Sequence, residues 1–485
     1  MTTAIEPPLR PYFWLRRMIV GSVAVLVALL VARLIVGAIV ERRWQARASQ
    51  LRAAGMTLDI REWQRPPIAD EENAAAYFLS AMAALDQKVD SPRSSNYSFS
   101  TNAGDEPPYG TIWQQLADAS ETANGPAFPL ARKARPFTKV DWGVKFESPS
   151  VAIMLPHLNN ARDLANKLAD GAERSFRRGD SAEGVERIHD VFHLSTTLND
   201  RPFFITGLVA IGIDRLAVSA IGPYVSQLKI GEAAREVRPQ AIRALIARLT
   251  HADGTEPPLR DYVRGEALFG IDLGNGVLTS AWITRPAVIA DMCRVGEAQA
   301  KLIQAAEAPT NVERAAILAS TTVLRAFPGS LIAGITGGGL RGTATLPLSA
   351  ARPISHASLT SSAARPFQMF AQGAAARDAL AIALAVRLYE HNHQGDWPAT
   401  LNDLVPAYLP AIPSNKVSDD DAPYGYRLIR RGLPDGRDRP LLDLIAPGEP
   451  PRVPVSPVLP GEPGGSVDLT NSTPPATQPT TGTAD

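Results

Sequence analysis

The chain has 485 residues, 45% of them apolar, with acidic and basic side chains balanced at 49 each. That is enough apolar material for a packed core and enough length for two or three domains. Zero net charge supplies no field to draw nucleic acid, and a single cysteine, Cys293, excludes an internal disulfide and any cysteine-based metal cluster.

In chain order, a flank at residues 1–17 leads into the apolar run MIVGSVAVLVALLVARLIVGAIV, residues 18–40. Its length meets the roughly 20 residues that a helix needs to cross a bilayer. Arg16 and Arg17 stand before it and Arg42 and Arg43 after it. Arg33 is the one charge inside. At mid-membrane an arginine costs about 2.5–3.5 kcal/mol, but Arg33 lies close enough to the end for its stem to carry the guanidinium to the headgroups. A signal peptide cleaved near Ala46–Ala48 is the rival reading. The run is too long for that, and Glu41–Trp44 separates it from the small residues, so a retained anchor is expected. Basic residues are so evenly divided between the two flanks that charge alone assigns no orientation.

A helical body is expected over residues 50–326. RPPIADEENAAAYFLSAMAAL opens with prolines, and Asp70 reads as its N-cap. Lys88–Gly110 reads as a loop, and 126–150, with four prolines among aromatics, as short strands or none. From Leu155 the three-four spacing of Leu158, Ala161, Ala165, Leu168, Ala172 and Phe176 predicts a helix that Gly179 stops. Asp180 caps the next, with Val185, Ile188 and Phe192 on one stripe. FFITGLVAIGIDRLAVSAIGPYV follows, and Asp214-Arg215 mark it as a buried core helix and not a second span. Short joints make these antiparallel hairpins. Further helices are expected near 233–250, 258–272, 281–307 and 310–325. Residues 327–363 are rich in Gly, Ser, Thr and Pro and read as a connector. Residues 446–485 are Pro, Gly, Thr and Ser rich and read as a disordered tail.

Residues 364–445 hold a long helix to His393, then GDWPATLNDLVPAYLPAIP, then a β-hairpin from YGYRLIRR and PLLDLIAP. Gly395 ends the helix, Pro398 prevents its resumption, and Thr400 with Asp403 forms a capping pair for one short turn with Leu401 and Leu404 inward. RDALAIALAVRLYEHNHQGDWPATLNDLVPAYLPAIP resembles the C-terminal module of a family of uncharacterised planctomycete-type single-pass membrane proteins. It is also similar to the globular part of type II secretion pseudopilins. Weaker echoes lie upstream in ENAA, MLPHLNNARDLANKLA, RRGD and RGEALFGIDL. The resemblance implies a mainly α fold: an antiparallel helical-hairpin body with a small α+β pseudopilin-like module. It carries no activity. The apolar run lacks the glutamate of a prepilin, so assembly into a fibre through this helix is not expected.

Four residues are candidate metal ligands: His189, His193, Glu186 and Asp420. HDVFH places His189 and His193 four apart on one helix face, the spacing of zinc proteases, with Asp190 where those carry glutamate. Glu186-x-x-His189 and Glu390-x-x-His393 each match half of a di-iron carboxylate set. Asp420 lies in SDDDAP, a calcium-type acidic loop. Each has a plainer account: a core-edge histidine, a chance pair, a solvated turn. Gly337-x-Gly339-x-x-Gly342 is blocked as a nucleotide loop by Pro347. No cofactor is implied. The expectation is therefore a membrane-anchored envelope protein, single-pass in the inner membrane with its bulk periplasmic. Its partners would be the bilayer through residues 18–40 and other proteins, with no nucleic acid. It would act as a non-catalytic interaction or scaffold protein. The alternative is a membrane-tethered metal-dependent hydrolase using His189 and His193.

Overall fold

The computed structural model describes residues 12–53, 55–89, 91–92, 111–250, 257–273, 285–320, 359–415, 424–429 and 439–443. Asp420, the 337–342 glycine pattern, nearly all of the 327–363 connector and the 446–485 tail lie outside them.

The apolar run belongs to one continuous helix, α1 (Phe13–Ala53). Among the described residues three helices are long and apolar enough to cross a membrane: Trp14–Ala53, Phe204–Gln227 and Pro366–Asn392. None of the first one's apolar window is buried, against 50% and 61% for the other two. The latter therefore use their apolar surface as core, as the charges in 202–225 led one to expect. The α1 side chains from Trp14 to Ile39 stand largely bare. Each such apolar square ångström costs about 25 cal/mol in water, a cost that a bilayer removes.

Beyond the apolar run α1 enters the body. Ala48 and Leu51 pack with Ala267 and Ile271 of α9 (Leu259–Leu273) and Met292 of α10 (Arg285–Glu307), with Met56 and Leu58 joining them. Body packing thus begins on α1 itself, with Trp44 at its edge.

The first body helix starts later than expected. Asp70–Glu72 form a single 3-10 turn, and Asn73 caps α2 (Ala74–Ala83), its Oδ1 accepting from the Ala75 N–H at 3.1 Å. The same amide clasps Asp141: Oδ1 accepts its N–H at 2.9 Å and Nδ2 donates to its carbonyl at 2.8 Å. A carboxylate has no N–H for the second bond, which is why asparagine and not the nearby Asp70 takes this place. Next come α3 (Thr111–Asn124) and α4 (Ala127–Lys133). Part of the proline-rich 126–150 segment is therefore helical. Pro126 and Pro129 fall at the cap and first turn of α4, where no helical N–H is needed, and Ala127, Phe128 and Ala131 turn inward.

The expected hairpins follow as α5 (His157–Arg177), α6 (Ser181–Thr197) and α7 (Phe204–Ile221), with Asp180 Oδ1 accepting from the Glu183 N–H at 3.0 Å to cap α6. The chain continues through α8 (Pro239–Leu249), α9, α10, α11 (Asn311–Ser320) and α12 (Leu359–Asn392). One apolar core joins α2, α4, α5, α6, α7, α8 and α12. Gly395, at φ 98°, ends α12 and donates its N–H to the Glu390 carbonyl at 2.9 Å. A 3-10 turn, Leu401–Leu404, is closed by the Thr400–Asp403 capping box, and its two leucines reach the same core. Strands β1 (Gly425–Ile429) and β2 (Arg439–Asp443) pair antiparallel, Gly425 opposite Asp443 and Ile429 opposite Arg439. The described residues are mainly helical, with this hairpin as their one sheet.

Candidate functional site

The helix face of HDVFH is real, but its two imidazoles serve different neighbours. His189 Nε2 donates to the Ala241 carbonyl of α8 at 3.1 Å, and His193 Nε2 to the Ala134 carbonyl, just past α4, at 3.0 Å. His193 Nδ1 accepts from Arg248 Nη2 at 3.2 Å, which sets a cation where a metal would have to come. Burial pushes both imidazoles down to about 4, so both are neutral at pH 7. Asp190, placed like the base of a zinc protease, is fully buried and receives Arg132 Nε at 3.3 Å and Arg135 Nε at 2.5 Å. Glu186 pairs with Arg135 Nη1 at 2.5 Å. Nearby, Arg187 grips Glu121 through both terminal nitrogens at 2.6 Å and Glu183 through Nε at 2.8 Å. This network ties α3 and the end of α4 to α6. The second Glu–His pair is separate: Glu390 is bound by Arg387, and His393 Nδ1 donates to the Tyr389 carbonyl at 2.8 Å. Among the described residues no three His, Cys, Asp or Glu side chains gather as a metal site.

A different constellation forms the candidate site. A cleft opens between the Trp63 segment, the extended 140–146 stretch, the start of α5 and the α6–α7 connection. Asp59 caps the 3-10 turn Ile60–Trp63 and so aims the Trp63 ring. That ring lies 4.9 Å from Phe203 and 6.0 Å from Phe146. Arg201 donates to the Trp63 carbonyl through Nη2 at 2.8 Å and Nε at 3.1 Å. On the opposite wall Trp142 donates Nε1–H to the Thr197 carbonyl at 2.9 Å and stacks on His157, centroids 4.7 Å apart at 10°. Arg65 crosses the rim to Asp200 at 3.1 Å. Burial lowers His157 to about 4, raises the Asp200 carboxyl and lowers Arg201.

The cleft therefore offers aromatic walls, a neutral imidazole, two carboxyl groups (Asp141 and Asp200) and two guanidiniums. Its free volume of about 40 Å³ is far below the roughly 300–1,000 Å³ of small-molecule sites. It has room for the tip of a side chain. Thr206, the hydroxyl at its floor, is already committed to the Arg201 carbonyl at 3.1 Å and the Phe203 carbonyl at 2.9 Å. None of these residues was singled out from the sequence. REWQRPP and KVDWG did carry a signal: each sets a tryptophan between charges in a loop, a placement suited to recognition.

No family model, no curated protein and no solved structure matches this chain.

Proposed function

We propose that this is a membrane-anchored envelope protein that works by binding: an interaction or scaffold protein. In this reading α1 holds it in the inner membrane, the body stands in the periplasm, and α12 with the 401–404 turn and the hairpin forms a pseudopilin-like module. The carrying observation is the continuity of α1, bare through the span and packed into the body from Ala48 onward without a break. A single helix that is both anchor and core member holds the body at a fixed height, which suits a scaffold. The side-chain-sized aromatic cleft is the surface best suited to a protein partner, since tryptophans with an arginine rim are the side chains that dominate such contacts. The periplasmic placement rests on the resemblance of the C-terminal segment to exported modules. The hydrolase reading draws no support from His189 and His193, whose Nε2 hydrogens are each engaged by a carbonyl.

Three experiments test this. Proteins that co-purify with the full-length chain should be lost with Trp63→Ser while the chain stays folded and membrane-bound. Stoichiometric zinc or iron that disappears in His189→Ala would favour the hydrolase. For orientation, a phosphatase fused after residue 445 should be active and a fluorescent reporter there dark; the converse reverses the placement.

A further inference from the structure

We infer that the junction of α1 and α10 is a binding collar for anionic phospholipid, with Arg42, Arg43 and Arg285 taking the phosphates. The inference rests on α1 being the anchor. Three contacts set the level of α10. A Cβ built on Gly37 would lie 3.8 Å from Pro286 Cγ. Arg285 Nη2 lies 3.5 Å from Glu41 Oε2. Ten residues further along α10, Arg47 Nη2 reaches the Gly296 carbonyl at 3.4 Å. So α10 starts beside the last turn of the apolar run and climbs alongside α1 away from it.

That start coincides with the depth at which hydrocarbon gives way to headgroups. At about 1.5 Å per residue, Arg42 and Arg43 lie roughly 3–5 Å beyond Val40, inside a headgroup layer about 5–7 Å thick. Both are exposed, and neither has a carboxylate partner among the described residues. Arg285 is 51% exposed. Arg33 sits lower: its Nη1 would stand 2.6 Å from a Gly37 Cβ, one turn nearer the body than its own Cα but still within the apolar run. Arg42, Arg43 and Arg285 thus stand at one level, Arg285 beside Glu41 on the α10 side and Arg42 and Arg43 around the rest of the α1 circumference. Directly beneath, Val36 and Ile39 are 51% and 47% exposed. Apolar surface below and cation above, repeated around α1, matches the acyl chains and phosphates of the lipids that would ring it.

The test uses the full-length chain in detergent, offered equal amounts of phosphatidylglycerol and phosphatidylcholine, with bound lipid counted by native mass spectrometry. Phosphatidylglycerol should be retained about tenfold over phosphatidylcholine, given roughly one strong contact per arginine. The preference should fall to near parity in Arg42→Gln/Arg43→Gln/Arg285→Gln and persist in Arg16→Gln/Arg17→Gln at the other end of the span. Should the triple variant misfold, Arg285→Gln alone should still lower the ratio. Parity in the native chain, a preference that survives the triple variant, or full displacement of lipid by inorganic phosphate would each overturn the collar. Carbonate extraction separates this from failure of the anchor itself: a chain released from membranes by carbonate refutes anchor and collar together.

Discussion

Arg377 of α12 places Nη1 2.7 Å from Asp214 Oδ2 of α7, with both side chains no more than a tenth exposed. This pair joins the two other helices long and apolar enough to span a bilayer. A buried charge stripped of its partner is costly. Arg377→Met should destabilise the body by about 3–5 kcal/mol, and Asp214→Leu with Arg377→Met should recover most of that. Urea unfolding of a fragment starting at residue 41, which keeps Trp44, Ala48 and Leu51, measures both. A silent single substitution would mean that the pair contributes nothing to holding α7 in the core.

Acid should weaken the fold well before the carboxylates titrate. His157, His189 and His193 are each lowered by burial to about 4 from an ordinary 6.5. Between those values the unfolded chain binds protons that the folded one refuses. Stability is thus fully present above about pH 6.5 and lost as pH falls towards 4, by up to about 2 kcal/mol per imidazole between pH 7 and 5. Asp200, raised by burial, works in the opposite sense over the carboxylate range. The urea midpoint should drop between pH 7 and 5, and His157→Phe should remove about a third of the drop. An unchanged midpoint would show that the imidazoles protonate without penalty.

The turn after α12 should depend on its leucines and its glycine. Leu404 is fully buried, and Leu404→Ala should cost about 2–4 kcal/mol. Gly395→Ala should cost about 1 kcal/mol or more, because a Cβ is strained at φ 98°. Gln394, at φ 56°, already carries that strain, so Gln394→Gly should stabilise by about 0.5–1 kcal/mol. His391→Ala, at an exposed position, should stay within about 0.5 kcal/mol. Denaturant midpoints rank all four, and the reverse order would mark the stretch as a ligand site.

Gly37 should admit a large side chain only at the expense of Pro286. Arg33 Nη1 is the movable tip of a long side chain and can swing aside, so the cost of Gly37→Leu, about 1–3 kcal/mol of α1–α10 packing, should come from Pro286. In an Arg33→Ala background most of that penalty should remain. Thermal aggregation of the full-length chain in detergent reads both, and a penalty that vanishes with Arg33→Ala would place the clash on the guanidinium.

Much of this architecture was legible in residue spacing. The long apolar helix, the α5–α6–α7 hairpins, the Gly395 stop and the Thr400–Asp403 cap are local: each depends on side chains within a turn or two of one another, and the chain adopts what they favour. The start of α2 was missed because an aspartate and an asparagine three residues apart both suit a cap. Only the demand of Asp141, 68 positions along the chain from Asn73, selects the amide. The prolines of 126–150 hid α4, since a proline at a helix start and one in a loop look alike without the packing of Phe128.

By itself the sequence determined that one helix is long and apolar enough to cross a membrane, that the body is helical, and that His189 and His193 share a helix face. Periodicity and apolarity are properties of a segment and its solvent. Tertiary structure alone decided which neighbour each face meets. It turned His189 to α8 and His193 to the end of α4, gave Asp190 to two arginines, and drew Trp63, Trp142, His157 and Asp200 from four separate stretches into one cleft. It also set the start of α10 beside Gly37, at the edge of the span. Such pairings arise from close packing between distant segments, and no spacing within a segment encodes them.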